Sequence, residues 1–325
     1  MATILVSEIE MNNDSDAVDL IQPRRKIVGM SAVYLPFFAD GSIDWRGFSA
    51  HLQRTIDAGL VPAVNMDTGS VQFLEAKDRV RVLEITSDIC DRFVAGACVV
   101  DVQNDNLNVS AYQERISEIA DARGTPVVFP SWGLNSLDGE AWVGALGKIT
   151  SGIDFVGFEL GAQFVPYGRI YDLAAYRELM MLPNCLGAKH SSLDRLQEWE
   201  RIRLRNDVRP EFQVFTGNDL AIDMVIYGSD YLLGLSSFAP EVFAKRDACW
   251  LAGDDAFYGL NDLLQYLGQF VFRAPVPSYK HSAAQFLKIC GTLSNDQCPP
   301  GIAPRPASDL LILEDIARRL ELISS

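Results

Sequence analysis

The sequence is poor in positive charge and contains no long apolar run. Its 28 lysine and arginine residues are outnumbered by 43 aspartate and glutamate residues, which gives a formal net charge of −15. Proteins that bind nucleic acid usually carry a basic stripe, and none occurs here. An anionic membrane surface would repel the chain, and a membrane span needs about 18 consecutive apolar residues. We therefore expect neither a nucleic-acid partner nor a membrane.

Cysteine and histidine patterns that form disulfides or bind metals are also missing. The six cysteines are scattered without a Cys-x-x-Cys pair, and the three histidines, His51, His190 and His281, are far apart. This arrangement favours reduced thiols in a cytoplasmic protein and argues against a zinc site. The N-terminal residues lack the basic region and the long apolar stretch of a secretory signal, which also favours a cytoplasmic location.

Eight short apolar segments alternate with longer amphipathic segments up to about residue 240. The apolar segments begin at Ile27, Val61, Val94, Thr125, Phe155, Cys185, Phe212 and Tyr231. Nearly continuous apolar runs separated by helices predict parallel strands that are buried on both faces. No glycine-rich dinucleotide fingerprint follows the first segment, so the pattern favours a closed (β/α)8 TIM barrel over an open doubly wound sheet.

The strand pattern ends near residue 240, and four segments with a helical pattern follow it. We predict the barrel over residues 26–240 and a C-terminal helical region over residues 241–325. No linker rich in glycine, serine or proline separates them, so the helices are expected to pack on the barrel. Residues 1–25 are polar and acidic, which predicts a flexible N-terminal arm.

Lys189 ends the sixth apolar segment, and active sites of TIM barrels lie at the carboxyl ends of strands. Burial lowers the pKa of a lysine from about 10.4 and supplies a neutral amine near pH 7. A neutral amine can attack a ketone and form an imine, which withdraws electrons from the neighbouring carbon. The alternative is a lysine that extends from the strand end into solvent. Strand alternation turns His190 away from Lys189, as a structural histidine, and turns Ser191 back toward it.

A polar turn, Asp67, Thr68, Gly69 and Ser70, follows the second apolar segment. Its backbone N–H groups and the Thr68 hydroxyl could hold a carboxylate. The same turn could instead be a helix N-cap, for which these side chains are favoured. Arg169 could form a two-pronged contact with an anionic substrate, and the alternative is an ordinary surface arginine.

Several of these segments, taken in order, resemble the dihydrodipicolinate synthase and N-acetylneuraminate lyase family of class I aldolases. The segment DTGSVQFLEAKDR, which begins at Asp67, resembles the loop after the family's second strand, and LGAKHSSLD resembles its Schiff-base motif. The segment that begins FTGND resembles the family's Ser/Thr-Gly-x-Asp motif. The resemblance extends from Val28 to the C-terminus and identifies Lys189 with the catalytic lysine. It implies a TIM barrel with three C-terminal helices, assembled as a homo-oligomer, commonly a tetramer or otherwise a dimer.

The chain also departs from the family pattern. The tyrosine that acts as acid and base beside the imine corresponds to Gln163, whose carboxamide cannot titrate. Tyr167 lies one position past the proline of that segment, and Arg169 is offset by one residue. Where the synthases have Pro-Tyr-Tyr, this chain has Trp132 in place of a tyrosine. We therefore do not expect an authentic dihydrodipicolinate synthase.

We predict a lyase, of the aldolase or dehydratase/synthase type, that acts on pyruvate or a related 2-oxo acid through a Schiff base to Lys189. No metal or organic cofactor is expected, because the imine is the electron sink. Asp67 is the first candidate for proton transfer and Tyr167 the second, although Asp67 could instead pair with Lys189 or Arg169. The residues expected to bind the substrate are Thr68, Gly69, Ser70, Trp132, Gln163, Arg169, Ser191, Gly234 and Leu235. The alternative is a catalytically impaired barrel that binds a small oxo acid or sugar acid as a sensor.

Overall fold

The computed structural model describes residues 17–324, and its central feature is a closed barrel of eight parallel strands in sequence order. The strands are β1 (Gly29–Ala32), β2 (Val61–Val64), β3 (Val94–Ala97), β4 (Thr125–Val128), β5 (Phe155–Leu160), β6 (Cys185–Ser191), β7 (Gln213–Thr216) and β8 (Asp230–Leu233). Pairing of β1 with β8 closes the barrel, with Ser31 opposite Leu233. Every strand overlaps one of the eight apolar segments, so the predicted TIM barrel is confirmed.

Eleven helices accompany the strands in the described part of the chain. They are α1 (Trp45–Asp57), α2 (Ala76–Ile89), α3 (Val109–Asp121), α4 (Trp132–Asn135), α5 (Gly139–Thr150), α6 (Leu173–Met181), α7 (Arg195–Val208), α8 (Pro240–Ala252), α9 (Ala256–Val271), α10 (Tyr279–Ile289) and α11 (Asp309–Arg319). At the start of α1, α3, α5 and α6, an aspartate or asparagine side chain accepts a hydrogen bond from the N–H three residues on. Such caps satisfy backbone donors that have no partner within the helix.

The C-terminal helices share an apolar core with the barrel, as expected from the missing linker. Val242 and Phe243 of α8 pack into the same cluster as Tyr231 of β8, so α8 occupies the place of the eighth barrel helix. Helices α9, α10 and α11 form the rest of the region predicted over residues 241–325. Residues 279–287 of α10 are all buried, polar ones included. This helix therefore carries polar side chains into the interior of the molecule.

Most of the arm predicted over residues 1–25 lies outside the described residues. Its described part, residues 17–25, contacts the barrel. Leu20 is buried, and Arg25 Nη1 lies 3.0 Å from Asp230 Oδ1 at the start of β8. None of the helices within residues 17–324 combines the length and the apolar character needed to cross a membrane.

Candidate active site

Lys189 lies inside the barrel, near the carboxyl end of β6. The residue is 8% exposed, and its Nζ lies 4.6 Å from the centre of the Phe158 ring on the neighbouring strand β5. Burial lowers the pKa of Lys189 to about 8, although the charges of Asp219 and Asp67 act in the opposite direction. The prediction of a sheltered lysine is therefore confirmed, and the alternative of a lysine extended into solvent is wrong.

Gly217, the first residue after β7, leaves the space that Lys189 and Ser191 occupy. A Cβ at position 217 would lie 2.6 Å from Lys189 Cε and 2.0 Å from Ser191 Oγ. Both side chains of β6 therefore face the same interior space, as strand alternation predicted. Ser191 is buried, and its hydroxyl has no hydrogen-bond partner among the described residues. A small polar ligand beside Lys189 would meet this hydroxyl.

Asp219 is a site residue that sequence reasoning missed. It is buried, and its Oδ1 accepts a hydrogen bond of 2.7 Å from the backbone N–H of Leu235. Burial raises the pKa of Asp219 to about 7, while the Leu235 N–H and the Lys189 charge hold it down. The signal was present, because Asp219 is the aspartate of the matched Ser/Thr-Gly-x-Asp segment. Leu235, predicted to bind the substrate, instead supports this carboxylate through its backbone.

Asp67 forms an ion pair with Lys280 of α10, and not with Lys189 or Arg169 as the sequence suggested. Lys280 Nζ lies 2.8 Å from Asp67 Oδ1, and Gln72 Nε2 donates to the same oxygen at 2.8 Å. Burial alone would raise the pKa of Asp67, but the charge of Lys280 and the hydrogen bonds outweigh it and lower the pKa. Asp67 is therefore held as a carboxylate, and its role in proton transfer stays a prediction.

Tyr279 of α10 is the phenol that contacts the polar turn. Its hydroxyl donates to Asp67 Oδ2 at 2.9 Å and lies 3.0 Å from Thr68 Oγ1. A phenol has one proton, so the Thr68 hydroxyl must donate to Tyr279 while Tyr279 donates to Asp67. Thr68 can therefore donate to a substrate carboxylate only if it releases Tyr279. No local pattern signals a contact between residues 211 positions apart, and sequence reasoning missed both Tyr279 and Lys280.

Only part of the polar turn faces this site. The Gly69 N–H, which was expected to hold a carboxylate, donates to the Met66 carbonyl at 3.0 Å. Ser70 adopts the left-handed conformation with φ 58° and lines a separate cavity. Gly234 lies against the turn, since a Cβ there would be 3.1 Å from Thr68 Oγ1. The turn therefore contributes Asp67 and Thr68 rather than all four residues.

Three other predicted substrate-binding residues lie away from Asp67. Gln163 is exposed, and its amide donates to a backbone carbonyl at 2.5 Å. Arg169 Nη1 donates to the carbonyls of Asn135 at 3.1 Å and Leu137 at 2.7 Å, which ties two loops together. Trp132 and Arg169 line a cavity that does not include Asp67. None of these three side chains lines the cavity that includes Asp67, and their part in substrate binding stays a prediction.

A cavity of about 350 Å³ opens beside Asp67, and we call it the mouth cavity. Asp67, Lys280 and Tyr167 line it, together with mainly apolar residues. Burial raises the pKa of Tyr167. The cavity meets the barrel interior at Phe164 and Val165, which pack against the apolar cluster that contains Phe158. Asp67, on the wall of the mouth cavity, also acts electrostatically on Lys189, so the cavity lies within electrostatic range of the amine.

His190 lies on the opposite face of β6 from Lys189, and its prediction as a structural histidine is confirmed. Its Nδ1 is 2.9 Å from Glu159 Oε2, and its Nε2 is 2.7 Å from the Ser192 hydroxyl. Glu159 also accepts hydrogen bonds of 2.8 Å from Nε and Nη2 of Arg201. Burial alone would raise the pKa of Glu159, but Arg201 and His190 outweigh it and lower the pKa to about 2. This buried network fixes β5 and β6 against α7.

Comparisons with known proteins agree with this architecture. No protein-family model matches the chain. A curated relative, the 4-hydroxy-tetrahydrodipicolinate synthase of Kosmotoga olearia, is 26% identical over 241 residues, which cover 69% of this chain and 75% of the relative.

Solved structures match nearly the whole chain at low sequence identity. YagE, a prophage protein of the dihydrodipicolinic acid synthase family from E. coli in complex with pyruvate, has a TM-score of 0.78 and 19% identity, over 91% of this chain and 99% of its own. The dihydrodipicolinate synthase of Thermotoga maritima has a TM-score of 0.77 and 17% identity, over 92% and 100%. The enzyme of Acinetobacter baumannii, complexed with pyruvate, has a TM-score of 0.73 and 17% identity, over 92% and 100%. These likenesses show the fold.

The fold and the site together define a TIM-barrel protein with a buried lysine on its sixth strand. The curated relative and the structural neighbours support a narrower likeness: the chain is similar to proteins of the dihydrodipicolinate synthase family, in sequence to the curated relative and in fold to the solved structures.

Proposed function

We propose that this protein is a class I lyase that acts on pyruvate or a related 2-oxo acid through a Schiff base to Lys189. The observation that carries the proposal is the burial of this amine, which lowers its pKa to about 8. With that pKa, about a tenth of the amine is neutral at pH 7 and about half at pH 8. The pyruvate bound in the YagE structure supports the choice of a 2-oxo acid.

The neutral amine of Lys189 would add to the ketone carbon and lose water to give a protonated imine. Asp219 has a pKa of about 7 and acts electrostatically on Lys189, so it is suited to exchange the proton that the amine gives up. The unpaired hydroxyl of Ser191 would contact the bound oxo acid beside the amine. The imine is the electron sink, so this chemistry needs no metal or organic cofactor.

Tyr279 is the group that we propose for proton transfer in place of the family tyrosine. Gln163 cannot titrate and its amide donates to the backbone carbonyl of Ser192, and Asp67 is held ionised by Lys280. Tyr279 lies in a hydrogen-bonded chain with Thr68 on one side and Asp67 on the other. In such a chain the phenol can give up one proton while it accepts another, so the phenol oxygen does not have to become a free phenolate. Tyr167, on the wall of the mouth cavity, is the second candidate.

Borohydride trapping tests the proposal directly. The protein is incubated with pyruvate, reduced, and weighed by intact mass spectrometry, and we expect one reduced pyruvate per chain. The Lys189→Ala variant should gain no adduct, whereas Lys288→Ala, which removes a surface lysine paired with Asp296, should gain it as the parent does. Absence of an adduct across a panel of 2-oxo acids would contradict the proposal.

A binding protein for a small oxo acid or sugar acid is the second candidate function. The observation that favours it is the replacement of the family tyrosine by Gln163, which leaves no titratable group at that position. Such a protein would be stabilised by its ligand and would show no turnover. It would also bind the ligand without the Lys189 amine, which separates it from the lyase.

A further inference from the structure

The wall of the mouth cavity is mainly apolar. Eight of the fourteen residues that line it have apolar side chains, so any molecule that fills it exchanges water for hydrocarbon contact. The wall includes Phe73, Val99, Val100, Phe164, Val165 and Ile302. They come from the turn after β2, the loop after β3, the loop after β5 and the segment before α11. A volume of about 350 Å³ suits a small organic molecule.

The charges in the mouth cavity do not favour an anion. Lys280 is the only cation among the described residues that line it, and Asp67 pairs with it at 2.8 Å. Asp101 adds a second carboxylate, which accepts hydrogen bonds of 2.8 Å from the N–H groups of Trp132 and Gly133. The lining therefore holds two carboxylates against one ammonium. A carboxylate on the incoming molecule would find no free positive partner there.

Arg169 does not add a positive charge to the lining of the mouth cavity. Its Nη1 donates to the carbonyls of Asn135 and Leu137, and Arg169 lines a different cavity. Arg169 therefore does not offer the mouth cavity the two-pronged contact that the sequence suggested for an anionic substrate.

We infer that the second reactant of this enzyme is an uncharged aldehyde with an aliphatic or aromatic tail, held in the mouth cavity. The inference rests on the proposed function, because the first reactant is the pyruvate imine at Lys189. Phe164 and Val165 line the mouth cavity and pack on the apolar cluster of the barrel interior that includes Phe158, over which Lys189 lies. Asp67, also on the cavity wall, acts electrostatically on Lys189, so the cavity lies on the side of the amine where that imine would form. The tail would lie against the apolar wall while the aldehyde carbon faces the imine.

The reaction balances without an oxidant or a reductant. The methyl carbon of the pyruvate imine loses a proton, and a C–C bond forms between it and the aldehyde carbon while the aldehyde oxygen takes up a proton. Hydrolysis of the imine consumes the water that its formation released. The product is a 4-hydroxy-2-oxo acid with an apolar tail, and the reverse direction cleaves the same compound.

A competition experiment tests the inference on the full-length protein. Pyruvate is supplied with equal concentrations of hexanal, benzaldehyde, glyceraldehyde and succinic semialdehyde. The amount of each condensation product is then measured by mass spectrometry. We expect the hexanal and benzaldehyde products to exceed the other two by about tenfold or more, as apolar pockets usually discriminate. Preference for glyceraldehyde or succinic semialdehyde, or no condensation at all, would overturn the inference.

Trapping of the pyruvate adduct in the same samples tests the Schiff base at Lys189 separately from the choice of aldehyde. If the adduct forms and the polar aldehydes are preferred, the inference fails and the proposed function stands. If no adduct forms, the proposed function fails, and the inference fails too because it depends on the pyruvate imine.

A matched pair of valines supplies the structural control. Val100 lines the mouth cavity and is 63% exposed, whereas Val102 is 66% exposed and does not line it. Val100→Arg should lower the ratio of hexanal product to succinic semialdehyde product by about tenfold, because it adds a free cation to the wall. Val102→Arg should leave the ratio unchanged. Equal ratios in both variants would show that the second reactant does not occupy this cavity.

Discussion

At the scale of single residues, burial and charge act against each other on Lys189. Burial favours the neutral amine, and the carboxylates Asp219 and Asp67 favour the ammonium. The result is a pKa of about 8, at which a fraction of the amine is neutral and reactive near neutral pH. Asp219 raises the pKa of Lys189 more than Asp67 does, so the reactivity of the amine should respond most to changes at Asp219.

The Asp219→Asn variant should lower the pKa of Lys189 further. The substitution removes a charge that favours the ammonium, while the asparagine oxygen can still accept the Leu235 N–H. The pH at which pyruvate trapping reaches half its maximal rate should therefore fall. Asp223→Asn is the control, because it removes a carboxylate that pairs with Arg195 instead. A midpoint that rises or stays fixed in Asp219→Asn would show that Asp219 does not act on the amine.

The Tyr279→Phe variant should keep the pyruvate adduct and lose turnover. It removes the hydroxyl between Thr68 and Asp67 without opening a cavity, and general acid–base groups contribute about 100-fold or more to rate. Tyr167→Phe is the comparison, and a smaller loss is expected there. Turnover is measured as product formed per adduct-competent site. If Tyr279→Phe turns over as the parent does while Tyr167→Phe does not, Tyr167 is the proton-transfer group.

Sequence reasoning reached Lys189 because a lysine in an apolar strand stands out locally. It did not reach Lys280 or Tyr279, because their contacts with Asp67 and Thr68 join segments that are far apart in the chain. It did not foresee the hydrogen bonds of Gln163 and Arg169 for a related reason. The loop after β5 turns their polar groups onto backbone carbonyls, and no sequence pattern reports that direction.

At the scale of elements, the network of Glu159, His190 and Arg201 holds β5, β6 and α7 together behind the lysine. The strands themselves were predictable, since parallel strands buried on both faces appear as apolar runs. The network was not predictable beyond the orientation of His190, because its members lie on three different elements. A buried carboxylate with two partners stabilises the fold only while it is ionised.

The Glu159→Gln variant should lower the free energy of unfolding at pH 7 by about 3–5 kcal/mol, because it leaves Arg201 buried without its counter-charge. The folded pKa of about 2 lies below the ordinary value of 4.5, so the contribution of Glu159 is complete above pH 4.5 and is lost as the pH falls toward 2. The difference between parent and variant in urea unfolding should shrink over that interval.

Glu200→Gln on α7 is the matched control for this measurement. Its carboxylate lies 4.0 Å from Arg201 and is half exposed, so its loss should cost less than about 1 kcal/mol. A loss in Glu200→Gln as large as that in Glu159→Gln would contradict the assignment of stability to the buried pair.

At the scale of the whole molecule, the C-terminal helices are part of the site and not an appendage. Helix α10 is buried along residues 279–287 and delivers Tyr279 and Lys280 to the turn after β2. The composition and the eight-segment pattern were sufficient to predict the barrel and a helical region packed on it. They could not show which helix reaches the site, because that depends on packing between distant segments. Assembly as a homo-oligomer, tetramer or dimer, stays a prediction of the family resemblance.

Pyruvate should raise the melting temperature of the whole molecule through the lysine. A ligand that binds only the folded state stabilises it by an amount that grows with the logarithm of the ligand concentration, and at 100 times its Kd the gain is about 2.7 kcal/mol, or several degrees. Lys189→Ala should lose most of this shift in differential scanning fluorimetry. An equal shift in parent and variant, without turnover in the parent, would favour the binding protein over the lyase.

The pH dependence of pyruvate trapping at Lys189 tests the central claim most directly. The rate of adduct formation, read by peptide mapping after borohydride reduction, should rise about tenfold per pH unit below pH 7 and level off above a midpoint near 8. A midpoint near 10.5, the ordinary value for lysine, would show that the amine is not sheltered. An adduct on Lys280 in place of Lys189 would contradict the account altogether.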